Sequence, residues 1–344
     1  MSLKRFRFIQ RLVLNHPFLT AATICICVFA ALRGLLANAA NPTLKASTSR
    51  TLDDVIVAWS FNIAVGIYLT CLCLILYRYS RYIIILHPLN QVWNPADRLR
   101  EKTLYRYEYR SLEQLTQYKS RRQGVLIPIA DEFATQLCEN GDQIRKNNYR
   151  FMTCPSKSVI HALSDKLKLA DHPLQQYLPK TFEPENAKYP CIVKYKVSVF
   201  GRGVFLVNDP GELTGKTRGM VFRKDYIIQE AILDSREYST QFLVKDGKII
   251  FHSSYFTEHP SDLFVWPRVK TISVRKHRLD PNGEVFDAFR NFFSGYNGLI
   301  NCNYKFQDGQ VKILEFNPRL TGDIYCLRRS DLIKLIRTYC EQAH

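Results

Sequence analysis

The sequence predicts an α/β protein in which an apolar N-terminal segment precedes an α/β domain and then a domain rich in strand–turn–strand hairpins. Three observations carry this. Between residues 111 and 170, short apolar runs of strand length alternate with helical stretches. From residue 191 onward the pattern changes to hairpins, with Phe200-Gly-Arg-Gly203 and Asp308-Gly309 as turns. Before residue 90, two long apolar runs stand apart from the rest.

The first run, 18–40, follows Lys4, Arg5, Arg7 and Arg11 and is interrupted only by Arg33. Its length suits an apolar helix that spans a membrane or lies in its surface, with Arg33 a costly inclusion for a span. A signal peptide shares the order basic-then-apolar. The second run, 55–77, carries no charge and admits two readings. One is a second membrane span. The other is a βαβ unit: a strand over 54–58, a helix over 62–77 and a strand over Arg81–Leu86. A single span would leave the basic N-terminus inside and push the rest of the chain outward, whereas two spans return it to the cytoplasm. The expected placement is membrane-associated, with the following domains facing the cytoplasm.

Further along, the sequence predicts a helix over 111–120, a strand over 124–128, a helix over 131–140, a strand over 149–154 and a helix over 157–170. The expected division is a basic and apolar segment 1–45, an α/β domain 52–155 and a second domain 156–344.

The chain has 344 residues, 46% of them hydrophobic and 12% aromatic, which is the make-up of a folded protein with a sizeable core. Its formal charge of +17 points to anionic partners: nucleotides, polyanions or a membrane surface. The densest basic stretch, 98–122, holds eight Lys/Arg against three Glu, but no zinc-finger or RNA-recognition signature accompanies it, so nucleic acid is not the expected partner. Ten cysteines lie scattered without metal-ligand spacing or a disulfide framework, which fits a reducing setting.

Three groups of residues carry chemistry. Lys194 lies in the strand Cys191–Lys196, just before Gly201-Arg202-Gly203. Glycines there let backbone amides approach an anion, as in a lid over phosphates, and a lysine beneath adds a positive charge. Next, Tyr226–Leu233 is an apolar strand that ends in polar backbone, an edge suited to adenine, and Glu237 follows at a distance suited to ribose hydroxyls. Finally, Val311–Arg319 alternates apolar and polar residues, so Glu315, Asn317 and Arg319 are expected on one face. Carboxylate and amide oxygens suit a hard cation such as Mg²⁺, and an arginine beside them can clamp a phosphoryl group.

The order Lys194, Gly201-Arg202-Gly203, Gln229-Glu230, Glu237, Asn303 and Glu315-Phe-Asn317-Pro-Arg319 resembles the ATP-grasp superfamily, from about residue 165 to Gly322. The resemblance implies a pre-ATP-grasp α/β domain followed by a two-lobed α+β ATP-grasp domain. It further implies that Lys166 and Lys194 contact ATP phosphates, that Gly201, Arg202 and Gly203 form the lid, that Glu230, Ala231, Ile232 and Leu233 line adenine, and that Glu237 binds ribose. Asn303, Glu315 and Asn317 would hold Mg²⁺, with Mn²⁺ an admissible substitute, and Arg319 would stabilise the transferring phosphoryl group. Position 303 departs from the family, where Asp, Glu or Gln is usual. The implied activity is a carboxylate–amine ligase that forms an acyl phosphate and releases ADP and phosphate. The rival is a degenerate ATP-binding protein with a sensory or scaffolding role at a membrane. The carboxylate and the nucleophile are not legible in the sequence.

Overall fold

The computed structural model describes residues 105–121, 123–196, 203–265 and 268–343, with Val65, Gly66, Leu69, residues 83–86, Leu99 and Thr103. The chain divides into two compact units, 1–83 with 104–106, and 84–103 with 107–344. In the first, Val65, Gly66 and Leu69 are helical. The apolar run 18–40 and nearly all of 55–77 lie outside the described residues, and so do Gly201 and Arg202. Among the described residues, no helix is long and apolar enough to cross a membrane.

Three sheets are described, all but Ile83 and Arg106 lying in the second unit. In the first sheet, strands β1 (Ile83–Leu86), β2 (Arg106–Tyr109), β3 (Gly124–Ile127) and β4 (Tyr149–Arg150) run in the order β2-β1-β3-β4, with β3 and β4 parallel. Helix α1 (Leu112–Gln117) opens with a capping box: Ser111 Oγ accepts from Gln114 N, and the Gln114 side chain accepts from Ser111 N. Helices α2 (Asp131–Glu139) and α3 (Gly141–Lys146) follow β3.

Two expectations needed correction here. Only Tyr149 and Arg150 of the predicted strand 149–154 pair with a neighbour. The predicted helix 157–170 is two helices, α4 (Lys157–Ser164) and α5 (Lys166–Ala170), broken at Asp165. Asp165 has extended backbone angles, and its carboxylate accepts from Leu167 N at 2.9 Å, so it ends one helix and caps the next.

The small lobe is an antiparallel sheet of β5 (Thr181–Phe182), β6 (Cys191–Tyr195), β7 (Val204–Val207) and β8 (Tyr226–Glu230), in the order β5-β8-β6-β7. Helix α6 (Pro210–Thr217) covers it through Leu213, packed with Phe182, Val193, Val207 and Ile228.

The large lobe is a five-stranded antiparallel sheet of β9 (Arg236–Lys245), β10 (Lys248–Glu258), β11 (Ser273–His277), β12 (Gly298–Gln307) and β13 (Gln310–Asn317), in the order β11-β10-β9-β12-β13. Its two tight hairpins turn at Asp246-Gly247 and Asp308-Gly309, all with positive φ between 50° and 78°, the twist that two-residue hairpin loops require. Period-two alternation then sorts the sheet's faces. Phe242, Ile300, Cys302, Tyr304 and Phe316 join one core with Phe286, Phe289, Phe292 and Phe293 from helix α7 (Glu284–Phe292) and the residue after it. Phe242 and Phe289 meet at 4.8 Å between ring centroids. The alternate positions carry Glu237, Ser239 and Gln241 on β9, Asn301, Asn303 and Lys305 on β12, and Glu315 and Asn317 on β13. The polar face of the large sheet therefore follows from the same alternation that builds its core. Helix α8 (Arg329–Gln342) ends the chain, and its buried Tyr339 donates to Leu126 O at 2.7 Å, tying it to β3.

Candidate active site

One irregularity in β13 brings the two lobes together. Asn303 pairs with Glu315 and Tyr304 with Ile313, so Leu314 is an extra residue, a β-bulge. Lys194 of the small sheet donates to Leu314 O at 2.9 Å. Only 7% of Lys194 is exposed. Burial pulls its pKa from 10.5 down to about 8; Glu315 opposes the shift, Lys166 adds to it, and Glu237 opposes it. Lys166, Glu237 and Glu315, from α5, β9 and β13, thus lie within electrostatic reach of Lys194 on β6. Lys166 is the first residue of the helix that Asp165 caps.

Beside this group, Glu315 Oε1 accepts from Asn303 Nδ2 at 3.1 Å and from Asn317 Nδ2 at 3.4 Å. Asn303 Oδ1 is buried without a partner. A carboxylate gathering two side-chain amides, with an orphaned amide oxygen next to it, is an oxygen set that a hard divalent cation fits. It holds one carboxylate, and among the described residues no group of three or more His, Cys, Asp or Glu could hold a metal.

Arg319 does not continue the strand. β13 ends at Asn317, and Arg319 N turns back to Asn317 O at 2.7 Å. Its guanidinium nevertheless returns to the site, with one amino group 3.3 Å from Asn317 Oδ1 and Nε 2.7 Å from Asp131 Oδ1. Asp131 was not anticipated: it lies 188 positions away at the start of α2, and nothing in its local sequence marks it.

The linker from Glu230 to Arg236 joins the lobes. Glu230 closes the small sheet, and its carboxylate accepts from Lys180 N at 2.8 Å. Ile232 is buried, whereas Leu233 is 59% exposed. Gly203, the one expected lid residue among the described residues, accepts through its carbonyl from Tyr195 N at 2.7 Å. Lys305, also unanticipated, is buried on the polar face, two residues beyond Asn303 in the period-two row that could have pointed to it. A cavity of about 940 Å³, lined by residues including Cys138, Thr153 and Asn297, contains none of these groups.

No family model matches the chain. Over 144 residues, 40% of this chain, it is 25% identical to the carbamoyl phosphate synthase arginine-specific large chain of Geobacillus stearothermophilus, and it spans 13% of that protein's length. Among solved structures it is similar to the phosphoribosylamine–glycine ligase of Thermotoga maritima, at 14% identity over 76% of this chain and 74% of that one, with a TM-score of 0.52. The D-alanine–D-alanine ligase of Bacillus anthracis complexed with ATP is similar at 14% identity over 76% and 98% of the two chains, with a TM-score of 0.49.

Proposed function

We propose that this chain, a member of the ATP-grasp superfamily by its fold, is an ATP- and Mg²⁺-dependent ligase that joins a carboxylate to an amine or similar nucleophile. The observation that carries the reading is the meeting of Lys194 with the Leu314 bulge. It sets a buried cation from one lobe beside the Asn303–Glu315–Asn317 oxygens of the other, with Lys166 in electrostatic reach.

In this reading Lys166 and Lys194 hold the phosphates of ATP, and Gly201, Arg202 and Gly203 close over them. Glu230, Ala231, Ile232 and Leu233 line adenine, and Glu237 takes the ribose hydroxyls. Asn303, Glu315 and Asn317 hold Mg²⁺, which when bound offsets phosphate charge. Arg319, oriented by Asp131, faces the phosphoryl group in transfer. A carboxylate oxygen attacks the terminal phosphorus, the bond to the bridging oxygen breaks, and ADP leaves. The nucleophile then displaces phosphate from the acyl phosphate. Charge spreads over the transferred group during the first step, and fixed cations stabilise it there. Sequence similarity to a carbamoyl phosphate synthase large chain, and similarity in fold to a phosphoribosylamine–glycine ligase, support the class of chemistry. Membrane association with the catalytic domain facing the cytoplasm rests on the apolar runs 18–40 and 55–77 alone.

The single carboxylate at the cation site favours one other reading, ATP binding without catalysis. Turnover of Mg-ATP against a panel of amino acids and other carboxylates separates the two. The ligase reading expects carboxylate-dependent release of ADP and inorganic phosphate. Release of AMP and pyrophosphate, or binding with no turnover on any member of a broad panel, goes against it.

A further inference from the structure

Lys305 has no part in the chemistry proposed above, yet it is only 4% exposed. Its ammonium lies 3.0 Å from Asp234 O, 3.4 Å from Ile232 O and 3.5 Å from Asp262 O. The Phe264 ring centroid is 3.6 Å away, a cation–π contact. Two of the three carbonyls belong to the linker between the lobes, and the third belongs to the loop that Phe264 occupies.

The linker is tied down on that side by further bonds. Asp234 N donates to Asp262 O at 3.1 Å, Ser235 O accepts from His259 N at 2.8 Å, and Arg236 N donates to Asp234 Oδ1 at 2.9 Å. Alternate residues differ. Among the described residues, no hydrogen bond uses the backbone of Ala231 or Leu233. One edge of the linker is thus held against β12 and the 259–264 loop, and the other offers peptide groups. A free carbonyl and a free N–H on one edge complement the amino group and ring nitrogen of adenine, and mismatch guanine, whose donor and acceptor are reversed.

A lysine is an expensive way to hold a loop, because a buried ammonium gives up its water. An apolar side chain would fill the volume but could not bond carbonyl oxygens. The ammonium does so at several oxygens at once, which fixes the linker's direction as well as its position.

We propose that Lys305 is the positioning residue of the nucleotide-base site, stapling the 231–235 linker to β12 so that Ala231 and Leu233 keep an open edge for adenine. The proposal rests on the reading that residues 230–233 line adenine.

The test compares full-length wild type with Lys305→Met, which keeps the volume and removes the donors, and Lys305→Gln, which keeps a neutral donor. Two readouts are needed: hydrogen exchange in nucleotide-free protein, and calorimetric binding of ATP, GTP and tripolyphosphate with Mg²⁺. In Lys305→Met, exchange should rise in 231–235 and 259–264 and stay unchanged in β6 and β7. ATP should bind about tenfold more weakly, the loss expected for removing a charged hydrogen bond. Tripolyphosphate, which samples the phosphate cradle alone, should bind as before, and the preference for ATP over GTP should fall. Lys305→Gln should lie between the two. Unchanged linker exchange, or equal weakening of ATP and tripolyphosphate, overturns the proposal. A wild type that binds tripolyphosphate as tightly as ATP overturns the base site alone, and one that binds neither overturns the ligase reading with it.

Discussion

A lysine left 7% exposed, as Lys194 is, costs the folded state, because its ammonium exchanges water for one carbonyl at 2.9 Å. A fall in pKa from 10.5 to about 8 corresponds to roughly 3 kcal/mol of destabilisation at neutral pH. Below about pH 8 both folded and unfolded chains hold the proton, and the penalty is constant. Between about 8 and 10.5 the unfolded chain holds a proton that the folded chain has lost, so this residue's contribution makes the fold more stable as pH rises. Lys194→Met should therefore raise the melting temperature at pH 7 by a few degrees, less whatever the lost hydrogen bond contributed. That advantage should shrink towards pH 10.5, while turnover falls by ~10²–10³. Thermal melts of both proteins across this range check the claim. A variant less stable than wild type at pH 7 would mean that Lys194 is there for the fold. The proposal that Lys194 contacts phosphate comes from the sequence, where a lysine sits before a glycine-bearing turn. Its contact with Leu314 O was not legible there, because a bulge leaves no mark in an alternating sequence.

At the scale of elements, period-two patterning was the most informative signal. It placed Glu315 and Asn317 together on one face of β13, and the Asp308-Gly309 turn closes the hairpin that carries them. The same alternation, extended to β9 and β12, would have marked Ser239, Gln241 and Lys305. Helix breaks were harder to read. Residues 157–170 look continuous in composition, and only the side-chain cap at Asp165 separates α4 from α5 and starts a new helix at Lys166. On the other face, α7 and the sheet depend on aromatic packing, with Phe289 fully buried between Phe242, Phe293 and Tyr304. Phe289→Ala should cost ~3–5 kcal/mol and lower the melting temperature by roughly 10 °C, with nucleotide affinity retained at low temperature. Calorimetric melting measures the first, and a shift under about 2 °C would mean that this core is not what holds the large sheet.

Across the whole second unit, polar contacts join the lobes, Lys194 to the bulge, Lys305 to the linker and the linker to the 259–264 loop, together with a small apolar cluster of Leu167, Ala170 and Ile227 between α5 and β8. The hairpins around residues 200–203 and 308–309 were legible in the sequence, whereas the two-lobed arrangement followed only from the family resemblance. The pairing of Arg319 with Asp131 was not legible, since contacts across 188 residues depend on topology, which local pattern does not fix. These polar contacts place the proposed phosphate, base and cation groups on opposite lobes, so a nucleotide must engage both. The most direct measurement is a calorimetric titration of a non-hydrolysable ATP analogue with Mg²⁺ into wild type, Lys194→Met and Glu315→Gln. One bound nucleotide per chain is expected in wild type, with affinity about tenfold or more weaker in each variant, one altered on the small lobe and the other on the large. Undiminished affinity in both variants, or no binding by wild type, would contradict a nucleotide site shared between the lobes.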